Sequence, residues 1–574
     1  MVMLMFTHQP LQALKFNRFN GRQLIMTALK RFANDPWSWT VFALWIFPTI
    51  CSAHGFGERY DLPVPMNWVI LCSCMVVAIS FLWTPFMAQG SSAARHSPLK
   101  LDASNPHLQA PPLNTLIQRV GSLVSCALLV LVWSCASFGS QDPLMNFAPT
   151  FIWITWWLGT SLACLLFGNV WTNLDPWMGI YLFAKKIKDR LHLDHEHMSH
   201  RSRSKNFKTW PKFLARWPAC ATLLIWCALE IVYPIASMPH RLGTCIAFYS
   251  LYTWAGLYAF GPTQWRTHAD GFGLYFELIA QMRERLIHAF KHQTEMHDSS
   301  SPSSPHHDSE PSLSKESNFS SWMTSFESAS CRLSTIAFVM AMFSSVLFDG
   351  LHAGQSWLMF EKFATHLPLL NNDVNGYMTG ALGLILLWAL LIGVYLLTCF
   401  LSARLVGQVP SYKDFENQLN FDTTRLALSF LSCLLPIAVA YLIAHNFSSF
   451  FIQGQNIIAL ASDPFGWRWD LWGSANYYPD ITLIDAKLTW YVASISIVLG
   501  HVLSVFMAHQ TACALSAQLH ELSFQAMLKE PRLAYDITTI KPWVLNIPMT
   551  LVMLGLTALS LSIIAEPLTN PVSL

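Results

Sequence analysis

The sequence predicts an all-α integral membrane protein: a bundle of ten strong transmembrane helices behind an N-terminal signal or first-span segment. Three observations predict it. Of the 574 residues, 53% are apolar and only 12% are charged, against about 25% in an ordinary soluble protein. A soluble chain of this length would be several domains, and there are too few charges to clothe them. The apolar residues come in blocks of about 20, the length that crosses a bilayer as a helix. Lys and Arg also sort to one side when successive blocks alternate in direction. The net charge of +2 supplies no field for an anionic partner, so nucleic acid is not expected and the lipid bilayer is the first partner.

Residues 1–53 hold a basic N-terminus (Lys15, Arg18, Arg22, Lys30 and Arg31) and a short apolar run at 36–53. That run has two readings. Pro48 followed by Cys51-Ser52-Ala53 suits cleavage of a signal peptide, whereas 53 residues exceeds the usual length of about 15–30 and suits an uncleaved span. Cleavage after Ala53 would leave His54 as an N-terminus on the outer face.

Five spans follow near 66–85, 117–138, 148–168, 217–238 and 242–261, forming a membrane half over 54–261. Residues 262–330 are read as cytoplasmic. Within them, 271–291 has a helical pattern, with Tyr275, Ile279, Met282, Leu286 and Phe290 on one face. Glu277, Arg283, Arg285, His288 and Lys291 fall elsewhere. Such a helix lies along the inner membrane surface or packs under the spans. The Ser-rich stretch 294–321 reads as a disordered linker. His306 and His307, like His192, His195, His197 and His200, read as solvated loop histidines, since a metal site needs fixed geometry.

The second half, 331–565, has spans near 331–348, 378–401, 424–449, 488–510 and 543–565, and 566–574 is an outer tail. Five is odd, so the halves run in opposite directions, as in transporters built from inverted repeats. The halves share no residue pattern, and Gly or Pro does not break 66–85 or 331–348 near mid-membrane.

With the N-terminus inside, 30 of the 35 Lys and Arg fall on the inner side and five (Arg59, Arg241, Lys362, Arg468 and Lys487) on the outer side. Loops 169–216 and 262–330 are then cytoplasmic, and loop 450–487 is outer. The latter carries Trp467, Trp469 and Trp472, which suit an interfacial belt, with a sugar platform as the alternative. The 13 Cys lie mostly in apolar runs without any Cys-x-x-Cys pair, so no disulfide framework is expected.

Several strings together carry a resemblance. They are His54-Gly55 with Asp61-Leu62-Pro63-Val64-Pro65, Phe147-Ala148-Pro149-Thr150-Phe151, and Phe167-Gly168-Asn169-Val170-Trp171 with Asp175-Pro176-Trp177. Phe348-Asp349-Gly350-Leu351 and Ser462-Asp463-Pro464-Phe465-Gly466-Trp467 complete the set. Over most of 54–565 the chain resembles an uncharacterised family of bacterial polytopic inner-membrane proteins. The resemblance implies residence in the bacterial inner membrane and carries no reaction, substrate or cofactor.

Ionisable groups inside a bilayer are costly, which makes each a candidate functional residue. Glu230, Asp349 and His445 all fall in the outer half, His501 near mid-depth and His509 toward the inner end. Three functions follow. The first is a carrier for a small solute or ion, with Glu230 as the transport carboxylate. The second is a membrane redox protein, with His54, Asp349 and His445 holding a metal such as copper, or His445 and His501 as axial ligands of a noncovalent haem. The third is a non-catalytic assembly protein. No Walker A loop, GxSxG or HExxH string occurs, so the sequence gives no sign of an ATP-driven pump or of a serine or zinc protease.

Overall fold

The computed structural model describes residues 65–87, 116–193, 207–233, 237–298, 329–405 apart from 369, 371 and 374, 423–529 and 542–566. The segment 1–53, His54 and most of the Ser-rich linker lie outside the described residues, as do His195, His197 and His200.

Among the described residues, each of the ten strong apolar blocks lies on helix. In chain order these are α1 (Met66–Met87), α2 (Leu116–Phe138), α3 (Phe147–Phe167), α4 (Pro176–Leu193), α5 (Trp217–Ile231) and α6 (Pro239–Phe260). Next come α7 (Pro262–His268), α8 (Gly271–Asp298), α9 (Ala329–His352), α10 (Gln355–Ala364) and α11 (Tyr377–Leu405). Then follow α12 (Thr423–Leu431), α13 (Leu435–Ile452), α14 (Asn456–Ser462), α15 (Ala486–Lys529) and α16 (Pro542–Ala565). No strand occurs among the described residues.

Eight of the helical stretches are long and apolar enough to cross a membrane. Two expected spans fall outside the eight. α5 has only 15 residues. α6 has 22 residues, but His240, Arg241 and five tyrosine or glycine interruptions dilute it. The span Cys331–His352 is buried along most of its length, as is the 426–444 part of the stretch Leu426–Ser462, so α9 and the first half of α13 form the middle of the bundle. Around them pack α5, α11, α12 and α15, while α1 and α16 close against α15. The core is one large apolar cluster drawn from both halves of the sequence.

Local chemistry explains several boundaries. Asn146 caps α3: its side chain accepts from the Ala148 amide at 2.9 Å and donates to the Cys135 and Ser140 carbonyls at 2.8 and 2.7 Å. Pro149 is tolerated because it sits in the first turn. The middle of α3, Phe151–Leu158, is a π-helix, a form often found at functional sites. All three of its indoles, Trp153, Trp156 and Trp157, pack around Trp226 of α5, at ring separations of 4.4, 5.6 and 5.6 Å.

The helix expected at 271–291 is α8, and its placement differs from a surface helix. Residues 271–280 are buried on every side, among α3, α5 and α13. Glu277, placed by the pattern off the apolar face, is fully buried. It accepts hydrogen bonds at 2.6 Å from both the Asn169 and Gln281 amides, and bonds to a charged acceptor are worth about 1.5–3 kcal/mol each. The reason is the chain path: α8 begins inside the bundle and leaves it only in its later turns.

Candidate functional site

The bundle brings Asp349 of α9 and His445 of α13 together, with Glu230 of α5 nearby in the electrostatic sense only. Asp349 and His445 approach to 3.8 Å between Oδ2 and Nδ1, with 46% and 20% of their side chains exposed. Glu230 of α5 lies within electrostatic reach of Asp349, with the Trp157 indole of the π-helix turned to its carboxyl. His352, one turn beyond Asp349, also feels that carboxylate.

Packing holds this group in place. The His445 ring stacks on Tyr441 at 5.0 Å. Gly350 leaves the space that the ring fills, since a Cβ there would lie 2.5 Å from His445 Nε2 and 2.8 Å from Ile563 of α16. Neither His445 Nε2 nor the Tyr441 hydroxyl has a hydrogen-bond partner among the described residues. Asp349 and His445 thus face one another, with Glu230 within electrostatic reach of Asp349 and with unused polar atoms on His445 and Tyr441. Such a group can bind a small cation or exchange a proton.

His501 does not join it. Gly500 lies against Pro436, Ile437 and Ala440, so His501 is level with the start of α13. His445 is about two turns further out, roughly 12 Å along the axis at 1.5 Å per residue. His501 Nδ1 is 2.8 Å from the Ile497 carbonyl of its own helix. Among the described residues no three His, Cys, Asp or Glu side chains are grouped to hold a metal ion. His54, the third ligand expected for copper, lies outside the described residues.

A second polar group sits deeper and was missed by the sequence reading. After α3 and again after α6 the chain ends its helix at a glycine in a positive-φ conformation. Gly168 has φ 87° and ψ −169°, and Gly261 has φ 80° and ψ 162°. Each time the chain turns back into the bundle and starts a new helix capped by aspartate. Asp175 accepts from the Met178 amide at 3.0 Å, and Asp270 from the Gly273 amide at 2.8 Å. The second return is visible against α6: Trp265 packs on Tyr252, and Tyr249 is 3.5 Å from Asp270. Asp270 is therefore level with the middle of α6. The first return meets the same place, because the Trp177 indole donates to Ser250 at 2.8 Å. Both carboxylates feel the buried guanidinium of Arg266.

Irregular backbone at membrane depth survives only when buried in protein, and both turns are. The loops assigned to the inner side thus open with short segments that re-enter the bundle. A signal was present in the sequence: Phe167-Gly168 followed by Asp175-Pro176-Trp177-Met178-Gly179-Ile180-Tyr181, and Phe260-Gly261 followed by Asp270-Gly271-Phe272-Gly273-Leu274-Tyr275.

At one end of the bundle, two of the strings noted above meet. The Ser140 and Phe147 amides donate to the Phe465 and Pro464 carbonyls at 2.7 and 3.1 Å. Trp467 stacks on Phe465 at 4.5 Å and meets Trp469 edge-on. With Trp472 also exposed, the three indoles form a rim rather than an enclosed pocket, which suits an interfacial belt. Compared with family models, characterised proteins and solved structures, the chain matches none of them.

Proposed function

We propose that the chain is a multi-pass carrier of a small solute or ion in a bacterial inner membrane, with Glu230, Asp349 and His445 as its outer-side site. One observation carries the reading: Asp349 of α9 and His445 of α13 meet at 3.8 Å, with Glu230 of α5 within electrostatic reach of Asp349. Isolated structural polar groups would have no reason to meet, and intramembrane ionisable groups mark substrate and ion pathways. In the same reading α5 and α6 complete ten crossings. The short α5 is compensated by the bundle that surrounds it, and Tyr249, Ser250 and Tyr252 of α6 face the re-entrant turns.

The full chain in vesicles of phosphatidylethanolamine and phosphatidylglycerol tests the reading. Pools of labelled amino acids, sugars, organic anions and divalent cations would be offered to wild type and to Glu230→Gln. At least one pool should enter faster with wild type than with the variant, at equal insertion. No pool moving faster than in protein-free vesicles, together with stoichiometric copper or haem in the purified protein, would replace the carrier reading with the redox one.

A further inference from the structure

We infer that a water-filled polar file leads from the Asp349–His445 pair toward the inner side between α15 and α16, and that protons move along it with His501 as the relay. The inference rests on reading the outer cluster as a transport site, and it names the proton as the coupling ion.

The file is built from two buried stripes. On α15 it comprises Ser494, His501, Ser504 and His509, and on α16 Asn546, Thr550, Thr557 and Ser560. None of these residues is more than 8% exposed. The two helices pack along each other.

Close contacts set their levels. Gly500 against Pro436, Ile437 and Ala440 puts Ser494 level with His445. Gly350 against both His445 and Ile563 puts Ile563 at that same level. Counting inward at 1.5 Å per residue, Ser560 follows at about 4 Å, Thr557 at about 9 Å, His501 at about 10 Å and Ser504 at about 15 Å. Thr550, His509 and Asn546 then fall at about 20, 22 and 25 Å. Along the axis no step exceeds about 5 Å, and the ladder covers most of a hydrocarbon core about 30 Å thick.

The groups also lack partners of their own. The hydroxyls of Ser494, Ser504 and Ser560, His501 Nε2, His509 Nδ1 and both polar atoms of the Asn546 amide have no hydrogen-bond partner among the described residues. Thr550 and Thr557 donate to carbonyls one turn back in their own helix and keep free lone pairs. Buried polar groups are normally satisfied by protein or by ordered water. A run of unmet donors and acceptors at regular depth is the lining that a chain of waters requires.

The chemistry selects the proton. Neither stripe carries Lys, Arg, Asp or Glu, so no fixed charge compensates a desolvated metal cation along the file. Of the two stripes' residues, His501 is the imidazole nearest mid-depth, and an imidazole can accept and release a proton. A carbonyl can only accept, so the 2.8 Å contact to Ile497 fixes the proton on Nδ1 and leaves the Nε2 lone pair directed away from its own backbone. A proton from a water on the outer side binds at Nε2, giving an imidazolium. The same proton then leaves from Nε2 to a water on the inner side, which restores the neutral ring.

The test uses the full chain in lipid nanodiscs and in vesicles of phosphatidylethanolamine and phosphatidylglycerol. Deuterium exchange at the imidazole C2 position, read by mass spectrometry, compares His501 with the exposed His366. Exchange at His501 within about a hundredfold of His366, slowed at least about tenfold by Ser504→Leu and little changed by Ser504→Ala, is the expected result. Slower exchange in wild type, or a rate unmoved by Ser504→Leu, overturns the file. Vesicles loaded with a pH dye and driven by a potassium diffusion potential then report proton entry. His501→Phe should slow it at least about tenfold. Equal entry with His501→Phe overturns the proton assignment. Glu230→Gln should leave His501 exchange unchanged, so a failed outer site and a failed file give different results.

Discussion

Gly350 determines what His445 can do. The imidazole occupies the space beside its Cα, so Gly350→Ala must displace the ring or the Ile563 side chain. Overpacking of that kind costs about 1–3 kcal/mol. Thermal unfolding in detergent should show the loss, and any transport activity should fall with it. Glu230→Gln is expected to behave differently. It keeps shape and a hydrogen-bond acceptor for Trp157, so unfolding should move little while coupled transport is abolished. Full transport by Glu230→Gln would reduce Glu230 to a hydrogen-bonding core group. These residues were legible because charge in an apolar block is rare, and depth could be counted from the ends of each block. Their lateral meeting was not legible, since it depends on how the helices are arranged around the bundle. Asp175, Asp270 and Arg266 escaped notice for the opposite reason: the charge rule sorted them into inner loops, where ionisable residues look ordinary.

The paired re-entrant turns depend on backbone that only glycine adopts easily. Gly168→Ala and Gly261→Ala should each cost about 1–3 kcal/mol, and the Gly261 variant more, because its new Cβ also meets the Phe207 ring at 2.9 Å. An unfolding series on the two variants checks this; equal stability to wild type would mean that the turns relax without strain. The helix pattern at 271–291 was read correctly as a helix, but its buried start could not be read. A stretch enclosed on every side and a half-buried one differ in surroundings rather than in period. The π-turn at 151–158 left no sequence mark either, beyond its three tryptophans.

The outer loop offers a pH test at the same scale. The Ala475 amide and the Ser462 hydroxyl hold the exposed Asp470 carboxyl below the usual carboxylate range. A depressed folded value means that its contribution is present above the ordinary carboxylate range and is lost as pH falls through the lowered one. The tryptophan emission difference between wild type and Asp470→Asn should stay constant from neutral to mildly acidic pH and shrink only in stronger acid. A difference that vanishes nearer neutrality would show that these hydrogen bonds do not persist in solution.

Taken as a whole molecule, the chain is a helical bundle in which Asp349 meets His445 and in which buried polar groups line α15 and α16. Fold class followed from composition, block length and charge sorting. The sequence count of ten crossings and the eight helices apolar enough to cross on their own differ at α5 and α6, where local composition is a poor guide because neighbouring helices supply the apolar surroundings. All depth statements depend on orientation and on the meeting of Asp349 with His445. One measurement tests both. Cysteines at positions 349 and 445 in the full chain would be treated, in intact cells, with a short, membrane-impermeant thiol cross-linker. The account predicts an intramolecular cross-link in Asp349→Cys/His445→Cys, formed from the outside, with Lys186→Cys unlabelled under the same conditions. Labelling of position 186 from outside, with no cross-link between 349 and 445, would contradict both the orientation and the site.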